Sequence, residues 1–108
     1  MNIAEVIQMQ LEVAILQDKW ESGDKICSMS DMTQIYSCSL STAKKVLGLL
    51  EKQNIVYFRV GKGYYIKPFA KEKLKVKYEE KIKKQIEEVI ELAKICNMME
   101  IVRDSIRL

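Results

Sequence analysis

Residues 32–47, MTQIYSCSLSTAKKVL, decide how this chain folds. Apolar residues such as Met32 and Ile35 recur at helical spacing in the first half, and residues 37–39 then interrupt the pattern. Ser39 is a good N-cap residue, so a new helix should begin directly after it. The stretch therefore predicts two helices joined by a tight turn.

The second of these helices should extend over residues 40–54, LSTAKKVLGLLEKQN. Its apolar face consists of Ala43, Val46, Leu47 and Leu50. Gly48, in the middle, costs up to about 1 kcal/mol relative to alanine in a helix. We expect a close approach of two helices to account for this glycine.

Residues 56–66, VYFRVGKGYYI, come next and predict a β-hairpin. β-forming runs over residues 55–60 and 64–67 flank Gly61-Lys62-Gly63. The glycines match no phosphate-binding loop motif, and no helix begins right after them to bind a phosphate. They are better explained by the positive φ angles of a tight turn, which places the lysine between them at the tip. Alternation puts one of Tyr64 and Tyr65 in the core, but does not say which.

Helical patterns also lie on both sides of this region. Residues 3–19 predict an amphipathic first helix, and Ser28 with Asp31 resembles a capping box that begins the short second helix. A long helix should begin near Phe69 and break at Asn97, before a last short helix. The predicted fold is mainly α with a small β-hairpin: a winged helix-turn-helix domain over residues 1–68 and a two-helix tail over 69–108.

The tail carries an apolar stripe at spacings of three and four residues. A hairpin of some 40 residues is too small to bury such a stripe by itself. We therefore expect the tail to pair with a second copy and form a homodimer. The predicted dimerisation residues are Leu74, Tyr78, Ile82, Ile86, Val89, Ala93, Ile101 and Ile106.

Composition argues against catalysis and against a membrane protein. The chain has no histidine, and its three cysteines are too few and too widely spaced for a disulfide framework or a zinc site. We expect free cysteines, no cofactor and no enzymatic activity. The first residues lack a basic leader and no apolar run could span a bilayer, so we expect a soluble, cytoplasmic protein.

The charge is unevenly distributed. Residues 57–84 carry ten basic and three acidic side chains, a net charge of +7, although the whole chain carries only +3. Such a concentration favours a polyanionic partner. A duplex major groove admits one helix through its N-terminal half, and a neighbouring hairpin reaches the backbone or minor groove. The candidate contacts to double-stranded DNA are Ser39, Ser41, Thr42, Lys44 and Lys45 on the helix and Arg59, Lys62 and Lys67 on the hairpin.

Two alternative interpretations stand beside these contacts. The helix residues are equally typical of an N-cap and a solvated face, and hairpin cations also protect an edge strand against aggregation. The lysines of the long helix are most simply a solvated stripe.

The motifs resemble those of the GntR family of bacterial transcription regulators over residues 3–68. SGDKICS, residues 22–28, is similar to the family's G-D-x-L-P-S motif, and SLSTAKKVLGLLE, residues 39–51, to its recognition helix. GKGYYI, residues 61–66, is similar to its G-x-G-T-x-V wing. Thr42 and Gly63 match outright.

The chain also departs from the family at three positions. Ser30 and Leu40 replace two arginines that usually contact DNA, and Tyr64 replaces a threonine, whereas Lys44 stands where the recognition helix has its second arginine. The resemblance adds Ser28 and Gly63 to the DNA-binding candidates. The short tail is similar to that of the YtrA-type subfamily.

The resemblance implies a sequence-specific transcriptional regulator, a repressor that binds a near-palindromic operator as a homodimer. Whether it responds to a small-molecule effector is left open; a multidrug-type regulator would need an apolar pocket, for example around Trp20. The alternative from another class is a winged-helix module for protein–protein assembly that has lost DNA binding together with the two arginines.

Overall fold

The computed structural model describes residues 2–106, which form five helices and one antiparallel pair of strands. The helices are α1 (Ile3–Leu16), α2 (Met29–Ile35), α3 (Leu40–Lys52), α4 (Ala70–Ile95) and α5 (Met99–Ser105); the strands are β1 (Val56–Arg59) and β2 (Gly63–Ile66). The predicted fold class is confirmed. The last two residues of the predicted tail, Arg107 and Leu108, lie outside the described residues.

Side-chain caps fix where the first three helices begin. The Ser28 hydroxyl accepts from the Asp31 amide at 3.0 Å, and the Asp31 carboxylate accepts from the Ser28 amide at 3.4 Å, so the predicted capping box of α2 is confirmed. Ser39 caps α3 as expected, and Asn2 caps α1. These local hydrogen bonds satisfy amide donors that have no partner inside the helix.

The core lies where α1, α2 and α3 meet beneath the hairpin. Its side chains are fully buried, and burial of each such aliphatic group contributes about 1.5–3 kcal/mol. The largest of them are Ile7, Leu11, Met32, Leu47, Leu50, Ile55, Ile66 and Leu74. This packing holds α3 and the hairpin in fixed positions within one unit.

The chain divides into two compact units, the first of which ends at Leu74 and the second of which begins at Lys75. The start of α4 belongs to the first unit: the Lys71 ammonium pairs with Asp18 at 2.5 Å, and Lys73 donates to the backbone carbonyl of Asn54 at 3.1 Å. Leu74 is fully buried. A cut after Pro68 would therefore remove a core side chain, and the functional division at residues 68 and 69 stays a prediction.

The second unit consists of the rest of α4 followed by α5. The helices are separated at Asn97, which has a φ of +57°, as the sequence predicted. Apolar side chains of α4 and α5 line a cavity of about 210 Å³: Val89, Leu92, Ala93, Cys96, Met98, Ile101 and Val102. Within residues 2–106, none of the helices combines the length and apolar character needed to cross a bilayer.

One element of the sheet was not anticipated from the sequence. The Ile66 amide donates to the Asp24 carbonyl at 2.9 Å, and the Ile26 amide donates to the Tyr64 carbonyl at 3.0 Å. Lys25 forms an antiparallel bridge with Tyr65. Residues 24–26 therefore lie along the free edge of β2 as a short third strand of the wing.

The expectation for Gly48 was wrong. Gly48 is exposed, and no atom of the described residues, its own helix backbone aside, lies within 4 Å of the position that a Cβ atom would occupy there. No contact inside the chain requires a glycine at this point of α3.

Gly48→Ala should therefore stabilise the protein by up to about 1 kcal/mol, because alanine has the higher helix propensity and meets open space. Urea denaturation monitored by circular dichroism measures this effect. Gly63→Ala is the matched control and should destabilise, since Gly63 has a φ of +115° and a Cβ there would lie 3.2 Å from Lys25 Cε. Loss of stability in Gly48→Ala would contradict the assignment.

Candidate nucleic-acid interface

Three hydroxyl groups cluster at the start of α3. Ser39 Oγ accepts from the Thr42 amide at 3.1 Å and donates to Thr42 Oγ1 at 2.9 Å, and Ser41 Oγ lies 3.0 Å from Ser39 Oγ. Ser39 and Ser41 are exposed, whereas Thr42 is half-buried. The sequence candidates Ser39, Ser41 and Thr42 thus form one polar surface at the positive end of a helix dipole.

Lys44 and Lys45 follow on the same exposed side of α3. The opposite side is anchored in the core, because Ala43, Val46 and Leu47 are completely buried. The helix therefore presents its hydroxyl and ammonium groups outward from a rigid base. Ser28, the remaining helical candidate, is exposed but belongs to the start of α2.

The wing turn has the geometry that the sequence predicted. Gly61 and Gly63 have φ angles of +73° and +115°, and the Lys62 amide donates to the Arg59 carbonyl at 2.9 Å. Lys62 is exposed at the tip. A positive charge thus projects from a turn whose backbone is fixed by the two glycines. Lys67, beyond the far end of β2, donates to the Asn54 side chain at 3.1 Å.

The two faces of the wing are chemically different. Val56 and Ile66 are buried, and the alternation of a strand places Tyr64 on their face and Tyr65 on the opposite one. This resolves the assignment that the sequence left open. Burial raises the pKa of Tyr64, and the charge of Glu51 adds to the effect, so Tyr64 stays a neutral phenol at physiological pH.

The outer face of the wing combines aromatic rings with a cation. The rings of Tyr57 and Tyr65 stack with centroids 5.8 Å apart. The Arg59 guanidinium carbon lies 5.3 Å from the centroid of Tyr65, in cation–π contact. Arg59 is therefore oriented by Tyr65, while its hydrogen-bond donors remain exposed.

Nothing in this region is arranged for metal or thiol chemistry. The three cysteines are free, and residues 2–106 contain no group of three potential ligands that could hold a metal ion. Burial raises the pKa of the Cys27 thiol, a backbone hydrogen bond partly offsets this, and the charge of Asp31 raises it further. Cys27 is therefore protonated near neutral pH and a poor nucleophile.

The predicted dimerisation residues fall into two groups. Leu74 is fully buried and Ala93 almost so, and these two leave little surface for a partner. Tyr78 is half-buried, and the remaining candidates are exposed: Ile82, Ile86, Val89, Ile101 and Ile106. The predicted set omits Leu92, Ile95 and Met98, which are also exposed in the second unit. Their apolar character was visible in the sequence, but they lie off the stripe that was followed.

A cavity of about 430 Å³ lies in the first unit beside Trp20. Phe69 and Pro68 contribute apolar surface, and Asp18 and Lys71, which form an ion pair, contribute charge. This is the place in the first unit where the sequence suggested looking for an effector pocket. Its mixed lining selects no particular class of ligand.

Comparison with known proteins rests on the fold. No protein-family model matches the sequence. No curated protein matches it either.

Solved structures do match. A GntR family transcriptional regulator from Listeria monocytogenes superimposes with a TM-score of 0.79 at 19% identity, over 96% of this chain and 95% of that one. A transcriptional regulator from Oenococcus oeni gives a TM-score of 0.76 at 15% identity, over 98% and 91% of the two chains. BusR from S. agalactiae, solved in complex with its busAB-promotor DNA, gives 0.61 at 22% identity, over 100% of this chain and 60% of that one. The chain therefore has the winged helix-turn-helix fold of solved GntR-family transcriptional regulators.

Proposed function

We propose that this protein is a sequence-specific DNA-binding transcriptional regulator of the GntR type, with a YtrA-like tail. The observation that carries the proposal is the exposed surface formed by residues 39–45 of α3, in the same compact unit as the cationic wing tip at Lys62. A rigid helix with hydroxyl and ammonium groups at its N-terminal half suits a major groove.

In this proposal the helix and the wing have different tasks. Ser41, Lys44 and Lys45 project from α3 and contact base edges and nearby phosphates. Lys62 and Arg59 bind the sugar–phosphate backbone and fix the position of the protein on the duplex. Ser28 and Ser39, at helix N-termini, supply further phosphate contacts. Leu40 is exposed where the family pattern has an arginine, so the operator should differ from the usual one at the base pair nearest to it.

The tail supplies the second copy. Its exposed isoleucines and valine leave apolar surface in water, and burial against another protomer recovers roughly 25 cal/mol per Å². A two-fold axis then places two copies of α3 at a fixed spacing, which requires a near-palindromic operator. Such a dimer on a promoter excludes the transcription machinery, so we propose a repressor that works in the cytoplasm without a cofactor.

The test is selection of bound fragments from genomic DNA, followed by affinity measurement at several salt concentrations. We expect enriched fragments to share an inverted repeat, and log affinity to fall linearly with log salt with a slope of about −0.9 for each phosphate neutralised. Absence of duplex binding, or affinity independent of salt, would contradict the proposal.

A second candidate, a winged-helix module for protein assembly, draws support from exposed apolar side chains near the same surface. Leu40 is 60% exposed and Val60, beside the wing tip, is 90% exposed. A protein partner would cover them, whereas phosphates would not. The same experiment separates the two functions, because an assembly module should enrich no DNA fragment.

A further inference from the structure

The edge strand of the wing carries a cation that belongs to no DNA-binding motif in the sequence. Lys25 is exposed and bridges Tyr65 of β2. Directly paired residues of antiparallel strands point to the same side of a sheet. Lys25 therefore lies on the outer face of the wing, the face that also carries Tyr65 and Arg59.

The Lys25 side chain runs along β2 toward the turn. Its Cε atom lies 3.2 Å, and its Nζ atom 3.9 Å, from the position that a Cβ atom would occupy at Gly63. Gly63 is two residues closer to the tip than Tyr65, which corresponds to about 7 Å along a strand. The absence of a side chain at Gly63 leaves the space in which the Lys25 stem lies, so the ammonium is carried to the tip end of the hairpin.

The surroundings of Lys25 do not neutralise it. Residues 56–66 contain two cations, Arg59 and Lys62, and no acidic residue. Asp24 is adjacent in sequence, but its carboxylate accepts from the Glu21 amide at 2.8 Å. Within residues 2–106, no acidic side chain forms an ion pair with Lys25. Three positive charges from different positions in the sequence thus lie at one end of the wing.

We propose that Lys25 binds a backbone phosphate of duplex DNA and acts with Arg59 and Lys62 as the third cation of the wing. The inference rests on the proposed DNA-binding function and extends it to a residue outside both the recognition helix and the hairpin. A phosphate is the matching ligand because a lysine ammonium is a flexible point charge without the planar geometry needed to read a base pair in bidentate fashion.

The experiment compares the salt dependence of duplex binding for full-length variants by fluorescence anisotropy, with a selected genomic fragment and an unrelated duplex as probes. Lys25→Ala should lower the magnitude of the salt slope by about 0.9 on both probes and weaken binding about fivefold to tenfold near 0.1 M salt. Lys62→Ala is the positive control. Lys19→Ala removes the same charge from an exposed position after α1 and should change neither quantity.

Lys25→Gln separates charge from packing, because it keeps most of the stem beside Gly63. We expect the same loss of slope as in Lys25→Ala, with unchanged thermal denaturation of both variants. A normal slope in Lys25→Gln, or a loss in Lys62→Ala but not in Lys25→Ala, would overturn the assignment of Lys25 and leave the proposed function standing. Failure of the wild-type protein to bind either duplex would overturn both.

Discussion

Simultaneous replacement of Ile82 and Ile86 by glutamate should convert the protein into a monomer and weaken operator binding by about 10²- to 10⁴-fold. Both isoleucines are more than half exposed in the single chain. They lie four residues apart, on one side of α4. In a symmetric dimer each substitution occurs twice, so four carboxylates would have to be desolvated in place of four apolar side chains. Loss of the dimer then removes the gain that comes from tethering two half-sites.

Sedimentation at micromolar concentration and affinity for the full inverted repeat measure the two effects. Lys84→Glu is the control: it makes the same net change of charge, and it lies two residues from each isoleucine, about 200° around the helix. It should remain dimeric. A dimeric Ile82→Glu/Ile86→Glu variant would place the interface elsewhere, and a monomeric wild-type protein would refute the homodimer itself.

Lys44→Ala should change which operator the protein prefers, with a loss of discrimination of about 1–3 kcal/mol at one base pair of each half-site. Lys44 is exposed on the outward side of α3, beyond the hydroxyl cluster formed by Ser39, Ser41 and Thr42. Its stem is not needed by the core, so the variant should keep its stability. A groove-facing side chain contributes sequence preference as well as affinity.

Binding to a panel of operators with single base-pair changes measures this preference, and Lys62→Ala provides the comparison. A cation at the wing tip positions the protein, so its removal should weaken all operators by a similar factor. Thr42→Ala is less informative, because Thr42 is half-buried and bonded to the Ser39 cap. An unchanged preference profile in Lys44→Ala would remove this residue from the groove contacts.

The order of helices and hairpin could be predicted from the sequence because its signals are local. Ser28 and Ser39 cap α2 and α3 through hydrogen bonds that span three residues, and Gly61 and Gly63 determine the wing turn through their own φ angles. Apolar periodicity fixed which side of α3 enters the core. The candidates on that helix followed from these same short-range patterns, and their roles in binding stay predictions.

Relations between distant residues were decided only by the tertiary structure. The sequence could not show that residues 24–26 pair with β2, because strand pairing depends on the register of partners that are far apart in the chain. The same register places Tyr64 on the core face, and it brings Lys25 beside Gly63. Periodicity alone also grouped Leu74 with the exposed stripe of the tail, although packing against the first unit had already buried it. Helical spacing shows which residues share a side of a helix, but only the packed chain shows what covers that side.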